Sequence, residues 1–164
     1  MMMDEQKRIR IDRMRYTKNK TSSNLALLAI VLNALYFVSV YESDVGSWYY
    51  SLLIGASIVY NLLFMLMAFL ASEGVKNYKI GYAYLLLGIG AGQIARIFIL
   101  PLQALRATVT ISKVTYPVMQ TGQFVYVAAC LCLSALCCIC GGVIGVRRSR
   151  TLAAYQAMLE KEQA

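Results

Sequence analysis

Histidine is absent from this chain, and acidic residues are absent from its long apolar stretches. The 164 residues include no His, and all eight Asp and Glu residues lie outside those stretches. Proton-coupled carriers and rotor rings use carboxylates inside the membrane, so both classes are disfavoured. Hydrolysis by a Ser–His pair is excluded for want of an imidazole base. Metal-dependent headgroup transfer needs clustered carboxylates, and Glu42, Asp44 and Glu73 are too few. We therefore expect no catalytic residues, no metal site and no cofactor.

Apolar residues, by contrast, make up 59% of the chain and fall into four runs. The runs cover residues 24–41, 48–71, 80–105 and 124–146. About 20 helical residues at ~1.5 Å each cross a hydrocarbon core of ~30 Å, so each run is long enough to span a membrane. Short connections make successive helices antiparallel neighbours. The sequence predicts an all-α integral membrane protein, with an antiparallel four-helix transmembrane bundle over 24–146.

Positive charges are distributed unequally between the two sides of this predicted bundle. Of the sixteen Lys and Arg residues, thirteen lie in the N-terminal tail 1–23, the second loop or the C-terminal segment 147–164. The first loop holds none, and the third holds Arg106 and Lys113. The positive-inside rule then predicts that both termini are cytoplasmic, in a plasma membrane or bacterial inner membrane. The net charge of +8 is assigned to contacts with anionic lipid headgroups, and nucleic-acid binding is not expected.

Three segments outside the apolar runs have distinct patterns. The tail 1–23 is basic, and a solvated positive anchor is favoured over a short helix on the inner leaflet. In 147–164, Leu152, Tyr155 and Leu159 recur at helical spacing, which predicts a cytoplasmic amphipathic helix. In the third loop, residues 108–112 alternate polar and β-branched residues, a pattern typical of an extended segment. That segment would pair with a partner chain, or the loop is irregular.

Small and amide residues indicate where the helices meet. Gly88-x-x-x-Gly92 and Gly141-x-x-x-Gly145 have the spacing that lets helices approach closely. A further small face in the fourth run comprises Cys130, Ser134, Cys138 and Gly142. Polar residues in the first two runs are expected to hydrogen-bond between helices, and these are Asn33, Ser57 and Asn61.

Five cysteines crowd the fourth run, and two of them form the motif Cys137-x-x-Cys140. This spacing is typical of thiol redox sites. Quinone-linked thiol oxidoreductases also need a second cysteine pair on the outer side, and every cysteine of this chain lies in the fourth run. Buried cysteine as a small apolar residue is the preferred interpretation.

One charge, Arg96, lies inside a predicted span, with Gln93 one turn before it and Pro101 shortly after it. Charged residues within spans are functional candidates by default. Arg96 lies about 25 Å along the helix from Lys79 at ~1.5 Å per residue, near the outer boundary. It would therefore snorkel or pair with Glu42 or Asp44, or else bind a ligand or line an anion-selective pore. Arg96, Gln93 and Pro101 form the candidate ligand or pore site.

The sequence leaves three classes of function open. The first is a non-catalytic component of a transport or channel assembly, either a homo-oligomer or a small subunit of a larger membrane complex. The second is a structural or regulatory scaffold that binds lipids or another membrane protein. The third, disfavoured above, is an intramembrane thiol oxidoreductase. In the first two, the partners are the bilayer and either further copies of the chain or another membrane protein.

Overall fold

Helices account for most of the described chain. The computed structural model describes residues 5–40, 48–111 and 114–163. Its elements in chain order are α1 (Glu5–Tyr16), α2 (Lys20–Val40), α3 (Trp48–Lys76), α4 (Ile80–Ile99), α5 (Pro101–Arg106), β1 (Thr108–Ile111), β2 (Val114–Pro117) and α6 (Thr121–Gln163). Glu42 and Asp44, in the first loop, lie outside the described residues.

Four segments of these helices are long and apolar enough to cross a membrane, which is compatible with the predicted helical integral membrane protein. They are Lys20–Ser39, Gly55–Lys76, Ile80–Arg106 and Thr121–Glu162. Each overlaps one of the four apolar runs of the sequence. The agreement has a simple cause, because an apolar run of this length satisfies all backbone hydrogen bonds internally only as a helix or as part of a closed barrel.

The four long helices pack in a closed arrangement, with each helix beside two others. Helix α2 packs against α3 and α6, and α4 packs against the same two helices. Small side chains occupy much of the buried surface, namely Ala26, Ala29, Ala68, Ala71 and Ala83. Because such residues let helix axes approach closely, the polar side chains that remain in the interior are brought within hydrogen-bonding distance of one another.

Hydrogen bonds join the helices at the end of the bundle where α2 begins and α3 ends. The Ser22 hydroxyl donates to the Gly141 carbonyl, and the hydroxyls of Ser23 and Ser72 lie 2.8 Å apart. Arg148 Nη1 donates to Asn19 Oδ1 at 2.8 Å. These contacts hold α6 against the start of α2.

The glycines differ in how closely other helices approach them. Gly88, which the sequence pattern assigns to a packing surface, is exposed, and a Cβ atom there would meet no atom within 4 Å. Gly90 faces α6 instead, where a Cβ would lie 2.7 Å from Ile139 Cγ1. The two glycines differ because positions two residues apart in an α-helix are rotated by about 200° about the helix axis and so face opposite sides. Close contacts also surround Gly92, Gly141, Gly142 and Gly145.

The segment after α4 begins with a helix break and ends in a hairpin. Helix α4 stops at Ile99, and Pro101 stands at the start of α5, where its missing N–H has no intrahelical partner to lose. Strand β1 pairs antiparallel with β2, with Thr110 opposite Thr115. The predicted extended segment is therefore present, and it pairs with β2 of its own chain.

The two ends of the chain are helical and lie together. The tail contains α1 instead of the solvated anchor that the sequence analysis favoured, and α1 packs against α6. Arg8 of α1 and Glu162 of α6 form an exposed ion pair at 3.4 Å. Helix α6 runs unbroken for 43 residues, which is about 65 Å at ~1.5 Å per residue. It is therefore roughly twice as long as a ~30 Å hydrocarbon core is thick, and residues 147–163 continue the helix of the fourth apolar run.

Candidate functional site

Arg96 lies in the last turn of α4 with its side chain inside the bundle, only 5% exposed. Its Nη1 atom donates to Asn61 Oδ1 at 2.6 Å and to Asn33 Oδ1 at 3.4 Å. Its Nη2 atom donates to Ser57 Oγ at 2.6 Å. These acceptors come from α2 and α3, so the guanidinium connects three helices. A snorkelling arginine would instead extend along the bundle surface toward water.

Two tyrosine rings lie against the guanidinium. The Arg96 Cζ atom is 4.3 Å from the ring centroid of Tyr36 and 4.8 Å from that of Tyr60. Cation–π contacts within ~6 Å contribute about 0.5–2 kcal/mol, with the larger values in desolvated sites. Both rings therefore help to offset the cost of burying the charge.

Gln93, one turn before Arg96, extends the network to α6. Its Nε2 atom donates to Asn33 Oδ1 at 3.0 Å and to Ser134 Oγ at 3.4 Å. The Ser134 hydroxyl donates in turn to the Ala29 carbonyl at 2.9 Å. Asn33 Nδ2 donates to Asn61 Oδ1 at 3.1 Å. We call the set Asn33, Ser57, Asn61, Gln93, Arg96 and Ser134 the arginine cluster, and it draws on all four long helices.

Arg96 is the charged member of the arginine cluster. The acceptors just described for Arg96 are amide and hydroxyl oxygens, which solvate a guanidinium without cancelling its charge. Burial of an arginine at the centre of a membrane costs ~2.5–3.5 kcal/mol on insertion scales, which these contacts offset. In the described part of the chain, Gln93 Oε1 and Asn61 Nδ2 have no hydrogen-bond partner. The cluster thus combines a fixed cation with a further acceptor and a further donor.

A cavity of about 190 Å³ reaches the arginine cluster between α3 and α4. Its wall on α3 is formed by Ala56, Ser57 and Tyr60, and its wall on α4 by Gly92, Arg96 and Ile99, with Leu100 beyond them. Most of this lining is apolar. A Cβ atom at Gly92 would lie 2.9 Å from the Tyr60 hydroxyl oxygen, so the glycine leaves room for that hydroxyl beside the cavity.

The structure brings together most of the polar residues that the sequence analysis singled out separately. Gln93 and Arg96, predicted as a ligand or pore site, meet Asn33, Ser57 and Asn61, predicted as interhelical contacts. Pro101 is buried at the start of α5 and is not among the hydrogen-bonded or cavity-lining residues described above. Glu42 and Asp44, the predicted partners of Arg96, lie outside the described residues.

Sequence reasoning missed three members of this site. Ser134 was expected only at a packing face, and neither Tyr36 nor Tyr60 was expected near Arg96. A signal was present in their spacing: Tyr36 follows Asn33 by three residues, and Tyr60 follows Ser57 by three. Residues three apart lie on one helix face, so each tyrosine shares a face with a polar residue of the cluster.

The cysteines are distributed along α6. Cys138 is buried in the apolar core with Ala26 and Leu86, whereas Cys132 and Cys140 are exposed and Cys137 is partly buried. All five are free thiols. Within residues 5–40, 48–111 and 114–163, no three His, Cys, Asp or Glu side chains are grouped as a metal site would require.

No protein-family model, curated protein or solved structure matches this chain. The arginine cluster and its cavity are therefore the features that bear on function.

Proposed function

We infer that the protein is a non-catalytic component of a membrane transport or channel assembly, and that the arginine cluster is its binding site for an anionic group. The observation that carries this proposal is the position of the Arg96 guanidinium, which lies between helices and lines a cavity. Intramembrane arginines that face a bundle interior or cavity commonly mark ligand or ion pathways. A guanidinium also matches carboxylate and phosphate groups in shape and charge.

The proposed orientation places both termini in the cytoplasm and makes the four spans antiparallel. The distribution of Lys and Arg supports it, and Arg96 then lies in the outer half of the membrane. Single cysteines introduced at Glu5, Lys161 and Thr115 of a cysteine-free variant test this arrangement. In intact cells, an impermeant maleimide is expected to label the Thr115 site alone. Labelling of either terminal site would contradict the proposed cytoplasmic position of the termini.

The assembly is tested first, because a small membrane subunit and a homo-oligomer need different assays. The protein is extracted gently from its own membrane, its native mass is measured, and co-purifying chains are identified. A ring of several copies, or a complex with a transport protein, supports the proposal. A lone monomer or dimer without such partners would contradict it and favour the scaffold.

Flux measurements on the extracted assembly then test the arginine. Vesicles that contain the assembly are placed in isosmolar salts of chloride, acetate or phosphate, and anion entry is followed by light scattering. We expect Arg96→Gln to lower entry by about tenfold or more, because it removes a charge-assisted contact. Lys79→Gln is the matched control, since it neutralises a basic residue just before the other end of α4. Equal anion flux in the wild type and in Arg96→Gln would contradict the proposal that the arginine cluster binds the transported anion.

A scaffold function is the second candidate, and one feature favours it. Helix α1 carries exposed basic side chains beside α6, namely Arg8, Arg10, Arg13 and Arg15. Such a surface attracts anionic headgroups at about 1 kcal/mol per charge or an acidic partner. The scaffold predicts that replacing these arginines by glutamine releases a partner, whereas Arg96→Gln changes neither flux nor partner binding.

A further inference from the structure

A second cavity, of about 490 Å³, lies between the end of α1, the turn from α3 to α4, and the part of α6 beyond the fourth apolar run. Three basic residues line it, Arg15, Lys18 and Lys76, and none of the described residues that form its lining is acidic. Thr17 and Gln156 add uncharged polar side chains. Pockets of ~300–1,000 Å³ hold small ligands, so the volume and the charge of this cavity both suit an anionic group.

Two of the three cations have a carboxylate partner on their own helix. Lys76 Nζ lies 2.8 Å from Glu73 Oε1, and Arg15 Nη1 lies 3.5 Å from Asp12 Oδ1. The four side chains of these pairs are between 30% and 51% exposed. Ion pairs at such positions contribute about 0–1 kcal/mol. They hold the cations weakly, so an anion that enters the cavity competes with the carboxylates.

The end of the bundle that carries this cavity has a large surplus of positive charge. The segments 1–23, 72–79 and 147–164 hold thirteen basic residues and six acidic ones, a surplus of seven. The C-termini of α1 and α3 lie at the cavity, and each carries a partial charge of about −0.5. Three unit charges in the lining exceed these two partial charges, so the cavity attracts anions.

Two buried polar groups that have no hydrogen-bond partner in the described part of the chain adjoin this lining. They are Asn19 Nδ2 and Ser149 Oγ. Asn19 follows Lys18 in the chain, and its backbone N–H donates to the Lys76 carbonyl at 3.0 Å. Ser149 precedes Leu152, another lining residue, by three positions on α6, and residues three apart share a helix face. Buried groups of this kind are usually satisfied by a partner, and a polar ligand in the cavity would supply one.

The depth of the cavity in the membrane indicates the kind of ligand. Lys76 lies five residues beyond the second apolar run, and Leu152 lies six residues beyond the fourth. At ~1.5 Å per residue, both lie about 8–9 Å past the hydrocarbon core. A headgroup layer is only ~5–7 Å thick, since a bilayer of ~40–45 Å has a core of ~30 Å. A lipid therefore reaches the cavity with a group that projects beyond its phosphodiester.

From these observations we propose that the cavity binds the headgroup of a phospholipid that carries a phosphomonoester beyond its phosphodiester, as phosphoinositides do. Lys18 and Lys76 contact the phosphomonoester, which brings about −1.5 to −2 charge and three acceptor oxygens at pH 7. Charge-assisted hydrogen bonds of this kind are about twice as strong as neutral ones. The proposal is independent of the arginine cluster, and it uses from the proposed function only the orientation that places this end at the inner leaflet.

Calorimetric titration of the full-length protein in mild detergent with dioctanoyl phosphatidylinositol 4-phosphate tests the proposal. We expect one site per chain, and binding of dioctanoyl phosphatidylinositol, which lacks the phosphomonoester, weaker by about tenfold or more. Equal affinity for the two lipids would overturn the proposal. Binding of many lipids per chain, or the absence of saturable binding, would overturn it as well.

The soluble headgroup distinguishes a membrane lipid from a free inositol phosphate as the ligand. Inositol 1,4-bisphosphate has the same phosphates without acyl chains, which in the lipid contact the apolar surface of the bundle. We expect it to bind more weakly than the lipid by about tenfold or more. Equal affinity would mean that the site takes a soluble phosphate, and the lipid assignment would be wrong.

Four lysines provide a matched pair of double variants. Lys18 and Lys76 line the cavity, whereas Lys20 and Lys79, in the same two segments, are not among its lining residues. We expect Lys18→Gln with Lys76→Gln to weaken binding by about tenfold or more, and Lys20→Gln with Lys79→Gln to weaken it by about twofold or less. Both double variants remove two charges, so equal losses would indicate diffuse attraction and contradict a site.

A substitution that leaves the charge unchanged tests the cavity itself. Gln156→Trp fills the cavity from α6, whereas Ala157→Trp places the same side chain about 100° further around the helix. Both positions are exposed, so both variants are expected to fold. We expect binding to fall by about tenfold or more in Gln156→Trp and to stay unchanged in Ala157→Trp. Equal binding in the two variants would contradict the proposed site, whatever the anion flux of the assembly.

Discussion

Arg96 on α4 donates a 2.6 Å hydrogen bond to the neutral side-chain amide of Asn61 on α3. The neutral acceptor determines the charge of the Arg96–Asn61 pair. An amide oxygen orients the guanidinium but leaves the positive charge of the pair intact. A carboxylate in the same place would cancel it and compete with any incoming anion.

Asn61→Asp therefore separates an arginine that binds ligand from one that only joins helices. The aspartate is nearly the same size, and it replaces the buried Nδ2 atom, which has no partner in the described structure, by an oxygen beside Arg96. We expect a midpoint of thermal unfolding equal to or above that of the wild type, with anion flux lowered by about tenfold or more.

Asn19→Asp is the control for this substitution. Asn19 is also buried and also accepts a hydrogen bond from an arginine, Arg148, at 2.8 Å, but at the other end of the bundle. It is expected to leave anion flux unchanged. An anion site at Arg96 is contradicted if Asn61→Asp transports anions like the wild type.

Asn33 is the residue on which most of the cluster depends. It accepts from Gln93 and Arg96 and donates to Asn61. Asn33→Leu leaves these groups with fewer partners, and each buried polar group left unpaired costs about 1–3 kcal/mol. We expect the free energy of unfolding in mild detergent to fall by an amount in that range.

A double-mutant cycle measures how strongly the cluster is coupled. Single interhelical hydrogen bonds in membranes average ~0.6 kcal/mol, whereas members of one network couple by about 0.5–3 kcal/mol. We expect Asn33→Ala and Gln93→Ala to couple above the single-bond average. Val31→Ala, at an exposed position of α2, is the control for residues outside the cluster. Additive effects of Asn33→Ala and Gln93→Ala would mean that the two amides act independently.

The ring of Tyr36, and not its hydroxyl, is expected to stabilise the arginine. The Tyr36 side chain is fully buried with its ring centroid 4.3 Å from Arg96 Cζ. Tyr36→Phe keeps the ring face and should change the free energy of unfolding little. Tyr36→Leu removes it and should cost at least about 0.5–2 kcal/mol from the lost cation–π contact. If the two variants are equally stable in thermal or denaturant unfolding, the ring contact contributes nothing.

Part of this structure could be predicted from the sequence because its causes are local. The four membrane-crossing helices follow from the length of the apolar runs, and the extended segment at β1 follows from alternation. The rotation of each helix about its axis, by contrast, is not determined by the local sequence. The distance from Lys79 to Arg96 gives the position of the arginine along α4 but not its direction, so the sequence left snorkelling and binding both open. Which residues surround Arg96 depends on how α2, α3 and α6 pack, and Tyr36 and Tyr60 were missed for that reason.

Gly88 and Gly90 provide the clearest test of that rotation, because they lie two residues apart on α4. A Cβ atom at Gly90 would lie 2.7 Å from Ile139 Cγ1 and 3.2 Å from the Ala135 carbonyl oxygen, whereas at Gly88 it would meet nothing within 4 Å. Gly90→Ala should therefore destabilise the bundle by about 1–3 kcal/mol through overpacking against α6. Gly88→Ala should be neutral or stabilising by up to about 1 kcal/mol, because alanine is the better helix former. Thermal unfolding of both variants in the same mild detergent measures the difference, and the reverse order of stabilities would mean that α4 is rotated from the position described here.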